Sequence, residues 1–250
     1  ALLLDAPRVL ALPVMLCAGM LAGALWAFIA AELRRRFAVL EVISTIMLNF
    51  IAIHITGWLV RGPLQEPTRI YPQSPSLPLS QQLPVLIPGT RVHVGVVLLL
   101  LVSVGLWWWL RASASGFRLR AVGSNPFAAA SAGQIPIGKT VLSAFLLSGA
   151  LAGLAGSVEL TGVTYALYEN FSPGYGYTAI AVALLARLNP LAVLGTAFVF
   201  GALEAGSAAM QRNAGVPSVV VSVVEASLIL LIVAADRLRS RAVSRVEAGT

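Results

Sequence analysis

Very little of this sequence can carry reaction chemistry. It has a single cysteine, Cys17, only two histidines, and ten acidic residues among 250. One cysteine supports neither a disulfide framework nor a thiolate metal cluster. Cys17 sits inside an apolar run and reads as a small side chain facing lipid or a neighbouring helix. His54 and His93 stand isolated. No metal-ligand spacing and no Ser-His-Asp set is visible, so neither a catalytic residue, a metal nor a cofactor is expected. Charge is scarce as well, at 11% of residues. A soluble domain carries about 25%. The scarcity is lopsided: 17 basic residues against 10 acidic give a net charge of +7. In a soluble protein such a balance points to nucleic acid. Here the arginines fall in short clusters between apolar runs, with no interleaved aromatic and basic residues to stack on bases. Nucleic acid is excluded on that ground.

What is present is apolar. Hydrophobic residues make up 58% of the chain, and mean hydropathy is +0.87. Runs near 20 residues recur, the length that crosses a hydrocarbon core of about 30 Å. The fold class is therefore all-α, a polytopic transmembrane bundle embedded in a lipid bilayer. Seven spans are expected, over 9–31, 42–60, 93–110, 141–163, 175–188, 191–210 and 218–235. The fifth is short. With the N-terminus outside, the inner segments hold Arg34, Arg35, Arg36, Arg111, Arg118, Arg120, Lys139, Arg187, Arg237, Arg239, Arg241 and Arg245. The outer segments hold Arg8, Arg61, Arg69, Arg91 and Arg212. Twelve against five favours this orientation over its inverse, with a cytoplasmic C-terminus and a basic tail at 236–250. The whole of 1–250 reads as one transmembrane domain.

Two connecting segments are informative. The first, 61–92, is external and holds seven of the fourteen prolines, among them Pro63, Pro67, Pro72, Pro75 and Pro78. It cannot be a continuous helix, and an extended, partly polyproline path over the outer face is expected. The second, 111–139, is internal and reads RASASGFRLRAVGSNPFAAASAGQIPIGK. Asn125 is placed to cap a short helix over 126–132, with Pro126 at its first position and Gly133 at its end. Such a helix is a handle for another protein, or lies on the membrane surface. The end of this segment, GQIPIGKT at 133–140, satisfies a phosphate-loop pattern. The upstream residues are helix formers rather than a strand, Pro136 removes one N–H from the cradle, and a span follows at once. It reads as a helix stop followed by an inside-positive Lys139.

Polar groups inside spans cost about 3 kcal/mol for a carboxylate even on lenient scales, so they face cavities or partners. Glu159, Glu204 and Glu225 fall in this class, and Asn49 more weakly. Glu204 and Glu225 are expected at one depth on neighbouring antiparallel helices. They accept hydrogen bonds from a hydroxyl-rich solute, or from Ser222, Ser227, Asn49 or backbone groups. The stretch YALYENFSPGYGY at 165–177 gathers Tyr165, Tyr168, Phe171, Tyr175 and Tyr177. It reads as an interfacial aromatic belt, or, with Gly174 and Gly176 before a short apolar run, as a broken helix beside a transport site. Phe171 and Tyr175 are candidate stacking surfaces. Gly19 with Gly23, and Gly149 with Gly153, form GxxxG pairs that let backbones approach within the chain or between subunits.

Three stretches resemble a known family. EVISTIMLNFIA at 41–52, GFRLRAVGSNPFAAASAG at 116–133 and FSPGYGYTAIAVALLARLNP at 171–190 are similar to the inner-membrane permeases of bacterial ABC importers. The group resembled is the branched-chain amino-acid/ribose-type permease superfamily, within it the nucleoside and simple-sugar permeases. The resemblance runs from about residue 26 to residue 235. It implies a permease in the bacterial cytoplasmic (inner) membrane that moves a nucleoside or simple-sugar-like solute. It implies a second permease subunit, cytoplasmic ABC ATPase subunits that hydrolyse the ATP, and an extracytoplasmic substrate-binding lipoprotein. The loop that docks the ATPase would comprise Gly116, Arg118, Arg120, Gly123, Asn125, Pro126, Ala129 and Gly133. The substrate pathway would draw on Asn49, Glu159, Glu204, Glu225, Phe171 and Tyr175. Family members usually carry further N-terminal spans with an Asn-Ile-Gly-rich motif. None is found here, and the chain reads as a fragment or a truncated product. The alternatives are a proton-coupled carrier using Glu204 and Glu225, or a membrane scaffold subunit.

Overall fold

The computed structural model describes residues 8–133 and 135–214, together with Val223, Ala226 and Ser227. The expected span over 218–235, Glu225 and the basic tail lie outside the described residues. The regular structure of the described residues is helical, with two isolated β-bridges and no strand. In chain order the helices are α1 (Arg8–Phe37), α2 (Glu41–Arg61), α3 (Gly95–Ala112), α4 (Ala114–Ser124), α5 (Pro126–Gly133), α6 (Ile137–Glu159), α7 (Tyr175–Leu185) and α8 (Pro190–Ala214). Among them α1, α2, α3, α6 and α8 are long and apolar enough to cross a membrane. The protein is thus an all-α, multi-pass membrane protein.

Several helices run past their apolar cores for identifiable reasons. α1 has 30 residues, about 45 Å at 1.5 Å per residue, and takes in the Arg34–Arg36 cluster. Those charges are held by carboxylates. Glu32 accepts from Arg35 Nε at 2.8 Å and Nη2 at 2.6 Å and also pairs with Arg36, while Arg34 pairs with Glu41 at the start of α2. In α2 the hydroxyls of Ser44 and Thr45 donate to the Glu41 carbonyl at 3.0 and 2.9 Å. Polar side chains are thereby satisfied inside their own helix. α7 stops after 11 residues, about 16 Å, roughly half the hydrocarbon thickness.

The chain divides into two compact units. In the first, α1 and α6 pack antiparallel along their glycines. A Cβ on Gly23 would lie 2.9 Å from Gly153 Cα, and one on Gly19 would lie 2.9 Å from the Gly153 carbonyl oxygen. Both GxxxG pairs therefore meet within one chain, where absence of a side chain lets the two backbones touch. In the second unit α7 and α8 form a hairpin. Ala181, Val182 and Phe200 are its buried core, with Leu185, Val193 and Ala197 against them. Thr196 Oγ1 donates across the hairpin to the Val182 carbonyl at 3.2 Å.

Candidate functional site

Two regions of the first unit, at opposite ends of α6, have the order expected of working surfaces. One is the pair of short helices before α6. Ser113 Oγ accepts from the Gly116 amide at 2.9 Å and caps α4, a helix whose local signal is the serine pair Ser113 and Ser115. Asn125 Oδ1 accepts from the Ala128 amide at 3.0 Å. With Pro126 opening α5, the cap is the one expected. The same Asn-Pro device recurs before α8, where Asn189 Oδ1 accepts from the Leu191 amide at 3.1 Å.

The residues expected to dock a partner separate into two kinds. Gly116 and Ala129 are buried. A Cβ on Gly116 would lie 2.6 Å from Leu110 Cα, so the tight turn from α3 into α4 demands glycine. Arg118, Arg120, Gly123, Asn125 and Pro126 are exposed, and a Cβ on Gly123 would meet open space. Gly133 closes α5. Phe127 is 84% exposed and Phe117 60% exposed. Both were missed as individual residues, because a phenylalanine on a short helix reads equally well as core. Gly138, Lys139 and Thr140 form the first turn of α6, and Thr140 Oγ1 donates to the Pro136 carbonyl at 3.1 Å. α5 precedes them rather than a strand, so no phosphate loop is built there.

The other region is a strap, residues 62–94, that lies against the segment following α6. That segment opens as a π-helical turn, Leu160–Thr164, and Tyr165 ends it in the left-handed region at φ 57°. The strap's amides donate to its carbonyls: Leu83 to Thr161 at 2.8 Å, Leu77 to Tyr165 at 2.7 Å, and Ser74 to Leu167 at 2.7 Å. Leu167 N returns a bond to Ser74 Oγ at 3.0 Å. Arg61 at the end of α2 holds Glu169 through Nε at 3.1 Å and Nη2 at 2.6 Å. The proline-rich segment is therefore irregular, as expected, yet fastened along its length.

Two side chains lock the strap internally. The Glu66 carboxylate accepts from Thr68 Oγ1 at 2.7 Å, Gln73 Nε2 at 2.9 Å and the Tyr71 amide at 3.2 Å. The Gln73 and Thr68 bonds hold it below its ordinary 4.5. His93, only 7% exposed, accepts from the Gly95 amide on Nδ1 at 3.1 Å. Its ring fills space that Gly95 and Gly162 leave, since a Cβ on Gly162 would lie 2.6 Å from its Cε1. Burial pushes the imidazole below its usual value. His93 is thus a structural wedge at the start of α3.

The other expected site residues fall on different elements. Glu159 is the last residue of α6, partly buried, immediately before the π turn. Phe171 packs edge-on against Tyr168 with ring centroids 5.8 Å apart. Asn49 on α2 and Glu204 on α8 are exposed on this chain, and Tyr175 is the exposed first residue of α7. Gly174 before it has φ 95°, the glycine-favouring region, which turns the chain into that helix. Among the described residues no three His, Cys, Asp or Glu side chains gather into a metal-binding group.

Comparison with known proteins bears on this arrangement. The chain is 38% identical to the guanosine ABC transporter permease protein NupP of Bacillus subtilis, across 94% of this chain and 68% of the relative. It is 35% identical to a glucose ABC transporter permease protein of Haloferax volcanii, across 92% of this chain and 63% of that one. It is 30% identical to the nucleoside ABC transporter permease protein NupB of Lactococcus lactis, across 91% and 65%. The chain thus spans about two thirds of the length of these curated relatives. No solved structure matches it. The profile described as "Branched-chain amino acid transport system / permease component" matches residues 1–234, and the chain belongs to that family.

Proposed function

We propose that this chain is the membrane-spanning permease subunit of an ATP-driven importer for a nucleoside or simple-sugar-like solute. The observation that carries this reading is the helix pair α4–α5. It lies in the segment 111–139, which holds no acidic residue, and it exposes Phe117, Phe127, Arg118 and Arg120. A capped, two-helix element with an apolar and basic surface suits a protein partner better than solvent. On this reading the partner is a cytoplasmic ATPase, and the chain itself catalyses nothing. The names of the relatives support nucleosides and glucose as the solute class.

The rest of the assembly follows from that placement. The Arg34–Arg36, Arg118–Arg120 end faces the cytoplasm under the positive-inside rule. The strap faces outward in the bacterial cytoplasmic membrane, where a solute-binding lipoprotein delivers its cargo. A second permease subunit completes the pathway, with 1–250 forming one permease domain. Asn49, Glu159, Glu204, Glu225, Phe171 and Tyr175 contribute polar and aromatic contacts to the solute. Asn49 and Glu204, exposed on this chain at span depth, need a cavity or a neighbouring subunit to face.

The test is reconstitution in liposomes with the ATPase and the binding protein. Labelled guanosine should accumulate with hydrolysable ATP, not with a non-hydrolysable analogue, and a protonophore should leave it unchanged. Uptake that persists without hydrolysis and collapses with the protonophore would sink the reading and favour a proton-coupled carrier.

A further inference from the structure

The strap ties together the ends of three spans, and one buried ring sits where two of them meet it. The strap leaves α2 after Arg61, runs against the π-helical turn that follows α6, and enters α3 at Gly95. His93 fills the slot at that entry. A Cβ on Gly162, in the π turn, would lie 2.6 Å from its Cε1 and 2.7 Å from its Nε2. One on Gly95 would lie 2.6 Å from its Nδ1 and 2.6 Å from Val158 Cγ1 of α6. The backbone around the ring is pinned as well. Val85 bridges to His93, the Val94 amide donates to the Pro84 carbonyl at 3.0 Å, and the Leu83 amide donates to the carbonyl of the fully buried Thr161 at 2.8 Å. Single π turns at helices are rare and recur at functional sites.

The slot fits one protonation state of the ring. Nδ1 accepts from the Gly95 amide at 3.1 Å, whereas an imidazolium donates from both nitrogens and accepts at neither. A proton on Nδ1 would set two N–H donors against each other. Among the described residues no ion pair involves His93. The titratable groups nearest to it along the elements packed on it are Glu159 of α6, Arg91 of the strap and Tyr165, whose hydroxyl donates to the Gly162 carbonyl at 3.0 Å. The π turn itself and α3 before Arg111 carry none. We propose that His93 is a proton-operated latch: protonation from the outer solution drives the ring out of its slot, unfastens the strap from the π turn and slows import. The proposal rests on the permease reading, which puts the strap on the outer face, and adds control of that activity by external pH. Histidine is the side chain whose charge changes in mild acid. Once the ring has left, the Leu83–Thr161 and Leu77–Tyr165 bonds lose the wedge that holds the two backbones in register.

The experiment uses the complete complex in liposomes, with ATP inside at constant pH and labelled guanosine outside at about pH 7.5 or about pH 5. Hydrogen exchange of peptides covering 74–86, corrected for the intrinsic pH dependence of exchange, should be at least about threefold faster in acid. ATP-driven uptake should fall by about fivefold over the same step. His93→Asn keeps an acceptor for the Gly95 amide and takes up no proton, so both changes should largely disappear; His93→Gln serves as a second proton-insensitive variant if the first does not assemble. His54→Gln removes the other histidine, exposed on α2, and should leave both responses intact. Gly162→Ala, whose methyl would strike the ring, should show fast strap exchange already at the higher pH. Strap exchange that ignores pH, or that changes equally in the His93 variants, overturns the proposal alone. A fall in uptake that is equal in the unaltered and His93-substituted complexes does the same. Absence of ATP-driven uptake by the unaltered complex at both pH values overturns the permease reading, and the proposal with it.

Discussion

His93 joins the strap to α3, and its neutral form is the one that fits. Nδ1 must stay unprotonated to accept the Gly95 amide, and burial disfavours the charged ring. The sign of the pH effect follows. Above 6.5, the ordinary value, folded and unfolded chains both carry a neutral ring and stability does not depend on it. As pH falls below that value the unfolded chain takes up the proton first, so stability drops toward the lowered folded value. Thermal melting of the purified protein should therefore fall between pH 8 and 5 more steeply than that of His93→Gln. Parallel curves would show that the ring contributes no linkage. Glu66 does not interfere in this window. Its folded value lies below 4.5, so its contribution is complete above that value and is lost only in stronger acid. In the sequence His93 was legible only as an isolated histidine. Its partners, Gly95 and Gly162, lie 2 and 69 positions away, and no local pattern connects the second of them to it.

At the scale of the element, α4–α5 separates residues that build a surface from residues that present it. Gly116 belongs to the first kind: a methyl there has nowhere to go between the Trp109 carbonyl and Leu110. Gly116→Ala should lower stability by about 1–3 kcal/mol, the usual cost of overpacking, read as a lower melting temperature. Gly123 belongs to the second kind, since open space surrounds it. On the permease reading, Gly123→Arg should leave insertion and melting nearly unchanged and abolish stimulation of the proposed ATPase partner. Normal stimulation would remove this face from the docking surface. The α5 helix was readable in advance because Asn125, Pro126 and an alanine run are local signals. α4 was not, because its two glycines and two serines lower its helix propensity, and its packing against α5 and α6 lies beyond a local window.

At the scale of the whole molecule, the permease reading asks polar groups on different elements to serve one pathway. Glu204 is exposed on a 25-residue apolar helix, a placement that lipid alone penalises. Glu225 lies outside the described residues. If both line the pathway, Glu204→Gln and Glu225→Gln should each raise the apparent KM for nucleoside uptake by about threefold to tenfold, as expected for a weakened charged hydrogen bond to a hydroxyl. An unchanged concentration dependence in both variants would make them structural.

Hydropathy and charge alone determined the class of molecule. Apolar runs of span length and arginines gathered between them are local properties, and lipid imposes helices on such runs because no backbone group may go unpaired there. The capped helix α5, the irregular proline-rich segment and the absence of a phosphate loop were equally local. Tertiary structure decided which distant pieces meet. The glycines of α1 close on those of α6 within the same chain. The proline-rich segment becomes a fastened strap because its amides find carbonyls some 80 to 90 residues away, at 161–167. It also engages both acids of the strap and its facing segment, Glu66 and Glu169. Pairings of this kind depend on how helices and segments pack, and that is why they could not be read from spacing along the chain.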